Sequence, residues 1–472
     1  MLMNLITQFL EMSHNHPDKI AVVDGQGRHI TFVELEQQSS GLAKVWQSRG
    51  IEKGVRVLLA MPVGIDLYAS IAALWRLGAT IVFPEPAMGF SGVRHAVTLS
   101  QPTAVLTSGL YNVLPYIVPE LWNVPIELHL SSASSASNFL EDVTGDHPAL
   151  ISFTSGSTGK PKGMVRSHKF LSAQNACVGQ LLKSQDEEID LVAFPVFVIA
   201  NLGLGVTSLL PNWKLTRHDQ ASPLEITRYI KEAGVTRALI PPSICKLLSE
   251  TNVDPGLKTI FTGGGPIFPD LMKELLKGMP NTSIMAVYGS TEAEPISHLH
   301  INEIYEKNWR AMETGSGLLA GKPIAETRTR ILNDEIVVTG EHVNKSYLNG
   351  VGDDENKVKI DGEIWHRTGD AGKLDEDGNL WLRGRWSAKA DHYFPFDLEV
   401  AARCWPGVIN AALIPGSNPP CLAIMGDKNY LKAWNIKAKQ LGDILVKHVT
   451  KIPLDKRHRS KVDYNQLEQM LK

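Results

Sequence analysis

Thr154, Ser155, Gly156, Ser157, Thr158, Gly159, Lys160 and Lys162 stand in one stretch, TSGSTGKPKG, behind the β-branched and apolar run at 149–153. Nearly every side chain there is small, so several backbone N–H groups can converge, and the hydroxyls add donors around the same point. Two lysines supply positive charge. Those residue types in that order make a cradle for a phosphate. The Walker pattern is absent, because it requires a Gly, four residues and then Gly-Lys-Ser/Thr. Here Pro161 stands five positions after Gly156, and no Gly-Lys pair is followed by Ser or Thr. Taken alone, the segment also reads as a flexible Gly/Ser surface loop.

Further along, VYGSTEAEPI (287–296) places Tyr288, Gly289, Thr291 and Glu292 within five positions. An aromatic face suits a base, a short hydroxyl suits an anionic oxygen, and a carboxylate is a hard ligand for a hard cation. The bland reading is a polar turn after a buried strand. Three glycines in TGGGP (262–266), the acid in WHRTGD (365–370), the Gly-Arg pair in LRGRW (382–386) and the late lysine in IPLDKRHRSKVDY (452–464) complete the set.

Together with the first loop, these segments resemble, in order and over nearly the whole length, the AMP-forming adenylating enzymes: acyl-CoA synthetases, peptide-synthetase adenylation domains and luciferases. The loop agrees with that family at ten consecutive positions, 154–163. The resemblance implies ATP and Mg²⁺ as cofactors, with Thr154, Ser155, Gly156, Ser157, Thr158, Gly159 and Lys162 around the phosphates. It implies that Gly264, Gly265, Tyr288 and Gly289 bracket adenine, that Asp370 and Arg385 grip the ribose, and that Glu292 holds Mg²⁺. Thr291 meets the α-phosphate or the acyl carboxylate, and Lys461 takes the place of the catalytic lysine. The implied architecture is α/β: a large domain of parallel sheets between helices plus a small β-region (1–384), a hinge (385–388), and a small mobile α+β lid (389–472). The lid delivers its lysine over charge that builds in the transition state.

The implied reaction joins a carboxylic acid, fatty or hydroxy-fatty, to AMP with release of pyrophosphate, followed by transfer to CoA or the thiol of a separate carrier protein. Departures from the family bear on that second step. PVFVIANLGLG (195–205) carries Val198 where a polar or aromatic histidine is common, an aliphatic wall suited to an acyl chain. The hinge aspartate is replaced by Ser387. The following loop, AKADHYFPFDLEV (388–400), has no glycine and presents Tyr393, Phe394 and Phe396 where a pantetheine arm would need backbone. The last motif reads RHRSKV. These features resemble a subgroup containing the β-lactone synthetases of hydrocarbon biosynthesis and related fatty-acyl ligases, in which the substrate's own β-hydroxyl displaces AMP. Two other readings stand beside it. The chain could bind nucleotide or acyl-AMP without turnover, or activate an amino acid, for which Asp219 is a candidate partner of the amine.

These residues need a scaffold, and composition bounds it. A chain of 472 residues with 43% hydrophobic content exceeds one hydrophobic core. A net charge of −3 argues against nucleic-acid binding. Cys177, Cys245, Cys404 and Cys421 show no metal or disulfide spacing, consistent with a reducing, cytoplasmic setting. Residues 191–211 run 21 positions without a charge, but Pro195, Asn201, Gly203 and Gly205 interrupt them, so a buried strand, loop and helix is expected rather than a membrane span. The periodic apolar residues of 2–10 form a docking helix. Strand-like runs at 20–23, 55–59, 80–83, 104–106, 191–194, 237–240, 259–261 and 283–287 alternate with helical stretches such as 32–49 and 65–77. That rhythm predicts parallel sheets covered on both faces. From about 327 short strands and turns take over, with DEDGN (375–379) marking a hairpin. His168 reads as a helix-start histidine that is solvent-exposed or near a phosphate, and His298 with His300 lacks the further ligands of a metal site.

Overall fold

The computed structural model describes residues 3–85, 88–131, 139–154, 161–184, 187–214, 221–251, 253–454 and 461–471. The chain forms two compact units, Met1–Leu215 with Glu341–Lys357, and Thr216–Gly340 with Val358–Lys472. Strands alternate with helices through the first two thirds of the chain, as the sequence pattern predicts for a mixed α/β protein.

In the first unit a six-stranded sheet runs in the order Ile126–Leu128, Ala104–Thr107, Arg56–Ala60, Thr80–Phe83, Pro148–Thr154, Lys162–Ser167. All neighbours are parallel except the last pair, an antiparallel hairpin whose register closes at Thr154↔Lys162. The strand Lys162–Ser167 is therefore an element where the sequence pattern pointed only to loop. A second set of strands, Ile189–Val192, Thr207–Leu209 and Ile20–Val23, is parallel and ends on the antiparallel His29–Thr31. Buried strands in parallel sheets carry near-continuous apolar runs, and Leu58, Val82, Val105, Ile151 and Phe153 pack accordingly.

Local chemistry sets the helix ends. Thr31 and Glu34 form a reciprocal capping box, Glu34 N–H donating to Thr31 Oγ1 at 3.3 Å and Thr31 N–H to Glu34 at 2.9 Å, which starts the helix Phe32–Ser48. The first helix, Ile6–Asn15, docks through buried Ile6 and Phe9. The uncharged stretch resolves into the strand Ile189–Val192, the helix Pro195–Leu204 and the strand Thr207–Leu209. The strand thus ends two residues before the expected 194, because Pro195 starts a helix there. Among the described residues no helix is long and apolar enough to cross a membrane.

In the second unit the parallel strands Arg237–Ile240, Thr259–Thr262 and Ser283–Ser290 continue into antiparallel ones. Their order is Ala293–His300, Leu318–Pro323, Leu380–Arg385, Glu363–Leu374, Glu335–Thr339, Arg328–Leu332. The DEDGN segment turns Glu363–Leu374 into Leu380–Arg385, with Asn379 N–H donating to Asp375 Oδ1 at 2.8 Å. Beyond it, a three-stranded sheet (Val408–Leu413, Cys421–Gly426, Leu445–His448) packs with the helices Pro395–Arg403 and Leu431–Leu441 around Leu398, Trp405 and Trp434. The C-terminal helix Tyr464–Leu471 buries Leu467 against Ala412, Ala423 and Ile452.

Candidate active site

A cavity of about 800 Å³ lies in the second unit. Gly264 and Gly265 of the glycine turn, Tyr288 and Gly289 of the YGSTE segment, Asp370, Arg385 and Lys461 line it, whereas Thr291 and Glu292 are not among its lining residues. Topology explains the convergence. Thr262 and Ser290 end adjacent parallel strands, and the carboxyl ends of such strands are where an open α/β sheet leaves room for a ligand. Gly264 and Gly265 follow the first of these ends, and Tyr288 and Gly289 lie at the second. A Cβ on Gly289 would stand 2.9 Å from the Ala293 carbonyl oxygen, so the turn admits no side chain there.

Register brings the two distant ribose candidates together. Asp370 and Arg385 are directly opposed across the pair Glu363–Leu374 and Leu380–Arg385. Arg385 Nη1 lies 3.2 Å from Asp370 Oδ1 and donates to the Thr368 carbonyl at 3.3 Å. The Tyr288 hydroxyl donates to Asp370 Oδ2 at 2.9 Å. Asp370 raises the pKa of the Arg385 guanidinium, which also feels Glu292 and Tyr464. Burial, then the Asp370 charge, push the Tyr288 phenol well above its ordinary value, so it remains a hydrogen-bond donor.

Thr291 and Glu292 form the two-residue turn between Ser290 and Ala293, which pair across the hairpin. Both are half-buried. The expected polar turn is real, and the antiparallel return strand Ala293–His300 fixes it. A single carboxylate at a turn fits Mg²⁺, which is usually bound by one or two carboxylates with phosphates and water. Among the described residues no cluster of three or more His, Cys, Asp or Glu gathers for a metal.

Of the phosphate loop, residues 155–160 lie outside the described residues, so Ser155, Gly156, Ser157, Thr158, Gly159 and Lys160 have no described position. Thr154 and Lys162 are paired at the base of that connection. Lys162 is buried, with Nζ 3.4 Å from Glu355 Oε2 and 5.5 Å from the centre of the Tyr347 ring. Asp219 also falls outside the described residues.

Two readings require correction. His168 is neither exposed nor a phosphate ligand. It is fully buried, its Nδ1 accepts the Leu5 N–H at 3.1 Å, and it ties the first helix to the core. Burial, with His147 nearby, lowers its pKa to about 4. Val198 is likewise fully buried in the first unit's core, so it packs the helix Pro195–Leu204 and forms no exposed acyl wall.

Phe268, Asp270, Glu399 and Arg403 line the cavity and escaped the sequence reading. Glu399 accepts the Tyr464 hydroxyl at 2.9 and 3.1 Å and the Leu413 N–H at 2.8 Å. Phe268 and Phe396 stack edge to face at 5.5 Å, with the Arg403 guanidinium 4.4 Å from the Phe268 ring centre and 2.7 Å from Asp270. The available signals were Pro395 at a helix start and Asp397 two residues on, which accepts the Phe394 N–H at 2.9 Å; they locate a helix without saying which face meets a cavity.

Comparison with known proteins gives this geometry a context. The AMP-binding enzyme family matches residues 9–348. An olefin beta-lactone synthetase of Stenotrophomonas maltophilia is 25% identical over 483 residues, covering 89% of this chain and 87% of that protein. A 2-succinylbenzoate–CoA ligase of Bacillus licheniformis is 26% identical over 422 residues, covering 84% of each. Among solved structures, the amide bond synthetase McbA of Marinactinospora thermotolerans shares the fold at a TM-score of 0.82 with 20% identity, covering 99% of both chains. The o-succinylbenzoate CoA synthetase of Bacillus subtilis, in complex with its acyl-adenylate intermediate, aligns at 0.77 with 21% identity over 99% of this chain and 98% of that one. With more than half of its length matched by the family, and with its fold shared over almost the whole of both chains, the chain belongs to the AMP-binding enzyme family.

Proposed function

We propose that this enzyme condenses a fatty or hydroxy-fatty acid with Mg·ATP to give acyl-AMP and pyrophosphate. The observation that carries the reading is the convergence of Tyr288, Asp370, Arg385 and Lys461 on one cavity in the second unit. Tyr288 offers a ring face to adenine, and Asp370 accepts the ribose hydroxyls while Arg385 orients it. Thr291 and Lys461 hold the α-phosphate and the acyl carboxylate in line, and proximity of this kind supplies much of the acceleration. Glu292 would hold the Mg²⁺, which when bound neutralises charge on the departing phosphates. The loop 154–162 cradles the same phosphates. Residues 385–388 serve as the hinge on which 389–472 brings Lys461 in. The acyl group then passes to the thiol of CoA or of a separate carrier protein.

A second reading of the last step rests on the segment after the hinge. Phe394 is buried, with the Arg383 and Lys389 cations 4.6 and 5.2 Å from its ring centre. The Tyr393 hydroxyl donates to the Leu441 carbonyl at 3.0 Å, and Phe396 stacks on Phe268. Aromatic packing of this density leaves little backbone for a pantetheine arm, and it favours a β-hydroxy acid whose own oxygen displaces AMP. Likeness to olefin beta-lactone synthetases supports the same reading.

Pyrophosphate release across a panel of fatty and β-hydroxy fatty acids without any thiol, with products read by mass spectrometry, tests both. Sustained release with a lactone product selects the intramolecular acceptor. A burst that stalls at acyl-AMP and resumes with CoA or a carrier protein selects the thiol. No release with any acid removes the adenylation reading in favour of a binding protein.

A further inference from the structure

The segment that carries Lys461 is held at several points. Val462 bridges to Leu454, and Asp463 N–H donates to the Pro453 carbonyl at 2.9 Å. The Asp463 carboxylate accepts the Gln466 N–H at 3.0 Å, which starts the helix Tyr464–Leu471. At that helix start the Tyr464 hydroxyl donates to both oxygens of Glu399. Lys461 itself is exposed and lines the cavity together with Tyr464 and Glu399.

Glu399 is the unusual member. It is fully buried on the helix Pro395–Arg403, and its Oε1 also accepts the Leu413 N–H from the strand Val408–Leu413. One carboxylate therefore joins a helix, a strand and the residue three positions after Lys461. The groups that face it are few: Tyr464 from the C-terminal helix, the Leu413 N–H from the strand, and Arg403 one turn along its own helix. Tyr464 in turn feels Arg385 and Asp370, so the anchor abuts the nucleotide cluster. Burial outweighs these partners and raises the pKa of Glu399 to about 7.

Resting on the adenylation reading above, we propose that Glu399 is a positioning residue that acts through Tyr464 to set Lys461 for acyl-adenylate formation. Two donors aimed at one carboxylate match its ionised form. Protonation removes one acceptor site and replaces it with a donor, so Tyr464 loses a fixed partner and the Lys461 segment loosens. The ionised form is the competent one, and adenylation should fall as pH drops below about 7.

The test uses the full chain and compares Tyr464→Phe and Glu399→Gln with the parent in acid-dependent ATP–pyrophosphate exchange across pH 5.5–9. The expected result is a kcat reduced about tenfold or more, as a misplaced group commonly produces, with KM for ATP changed less than about threefold. The acidic limb should be absent in Glu399→Gln. Labelling of Lys461 by acetic anhydride, read against Lys389 in the same sample, provides a measure independent of turnover and should rise in Tyr464→Phe. A purely structural role would lower unfolding temperature while leaving kcat per folded enzyme, the limb and Lys461 labelling unchanged, and that result overturns the proposal. Absence of exchange in the parent with every acid defeats the adenylation reading instead, and the labelling comparison still decides whether Tyr464 positions Lys461.

Discussion

The Tyr288 hydroxyl donates to Oδ2 of Asp370 across 2.9 Å while Arg385 stands 3.2 Å from Oδ1, so the carboxylate is gripped from two sides before any ligand arrives. An ionised carboxylate has about four acceptor positions, which leaves lone pairs for a vicinal diol. Asp370→Ala should therefore raise KM for ATP by roughly ten- to a hundredfold, the loss expected for hydrogen bonds to a charged group of about 1.5–3 kcal/mol. Tyr288→Phe removes one orienting donor and keeps the ring, and should cost only a few fold. ATP titration of both variants in the exchange assay checks the ranking, and equal losses would mean that the hydroxyl contacts the ligand directly.

Lys461 reaches the cavity from the same C-terminal segment as Leu454, Val462 and Tyr464. Lys461→Ala should abolish acyl-adenylate formation while leaving ATP affinity within about threefold, since a cation that acts on transition-state charge is not needed for ground-state binding. Rapid-quench detection of acyl-AMP beside equilibrium ATP binding separates the two. Normal turnover in the variant would remove Lys461 from the mechanism.

The motifs were legible because each is a run of special residue types, and their order gave the fold. What joins them was not. Asp370 and Arg385 are fifteen positions apart, and only the hairpin register, set by the DEDGN turn, places them opposite one another. Glu399 and Tyr464 are ordinary letters in the string, and their meeting depends on how a helix, a strand and the last helix pack. His168 misled because a polar residue after a phosphate loop suggests a ligand, whereas burial turns it into a docking point for the first helix. Val198 misled because an apolar position does not reveal whether it faces a cavity or a core.

The His168 contact should make that docking acid-labile. Its pKa in the folded chain is lowered from 6.5 to about 4, first by burial and then by His147. A folded state that binds the proton less readily than the unfolded chain is stabilised above pH 6.5 and loses that stability as pH falls towards 4. The loss approaches about 3 kcal/mol at the lower end, taking 1.36 kcal/mol per unit. Protonated Nδ1 can no longer accept the Leu5 N–H. Hydrogen exchange of residues 3–15 should accelerate between pH 6.5 and 4.5 after correction for intrinsic rates. His168→Asn retains a short acceptor without a titration and should flatten the dependence. An unchanged profile in that variant would assign the lability elsewhere.

Gly384 should be intolerant of any side chain, for two separable reasons. Its φ is +102°, outside the range that L residues adopt readily, and a Cβ would lie 2.9 Å from Pro395 Cβ and 3.1 Å from the Phe396 nitrogen. Those contacts belong to the start of the helix that carries Glu399, and the next residue is Arg385. Relief of the clash must therefore move either the ribose-side guanidinium or that helix. Gly384→Ala should cost about 2–4 kcal/mol, of which left-handed strain supplies about 1–2 and overpacking the remainder. Gly378→Ala is the control: its φ is +79° with nothing within 4 Å of the added Cβ, so it should lose only the strain contribution. Urea midpoints of the two variants measure the difference. Exchange activity per folded molecule should fall in Gly384→Ala and persist in Gly378→Ala, because only the first displaces Arg385. Equal midpoints would show that the helix start yields without cost, and that the close approach at Gly384 does not fix the geometry of the site.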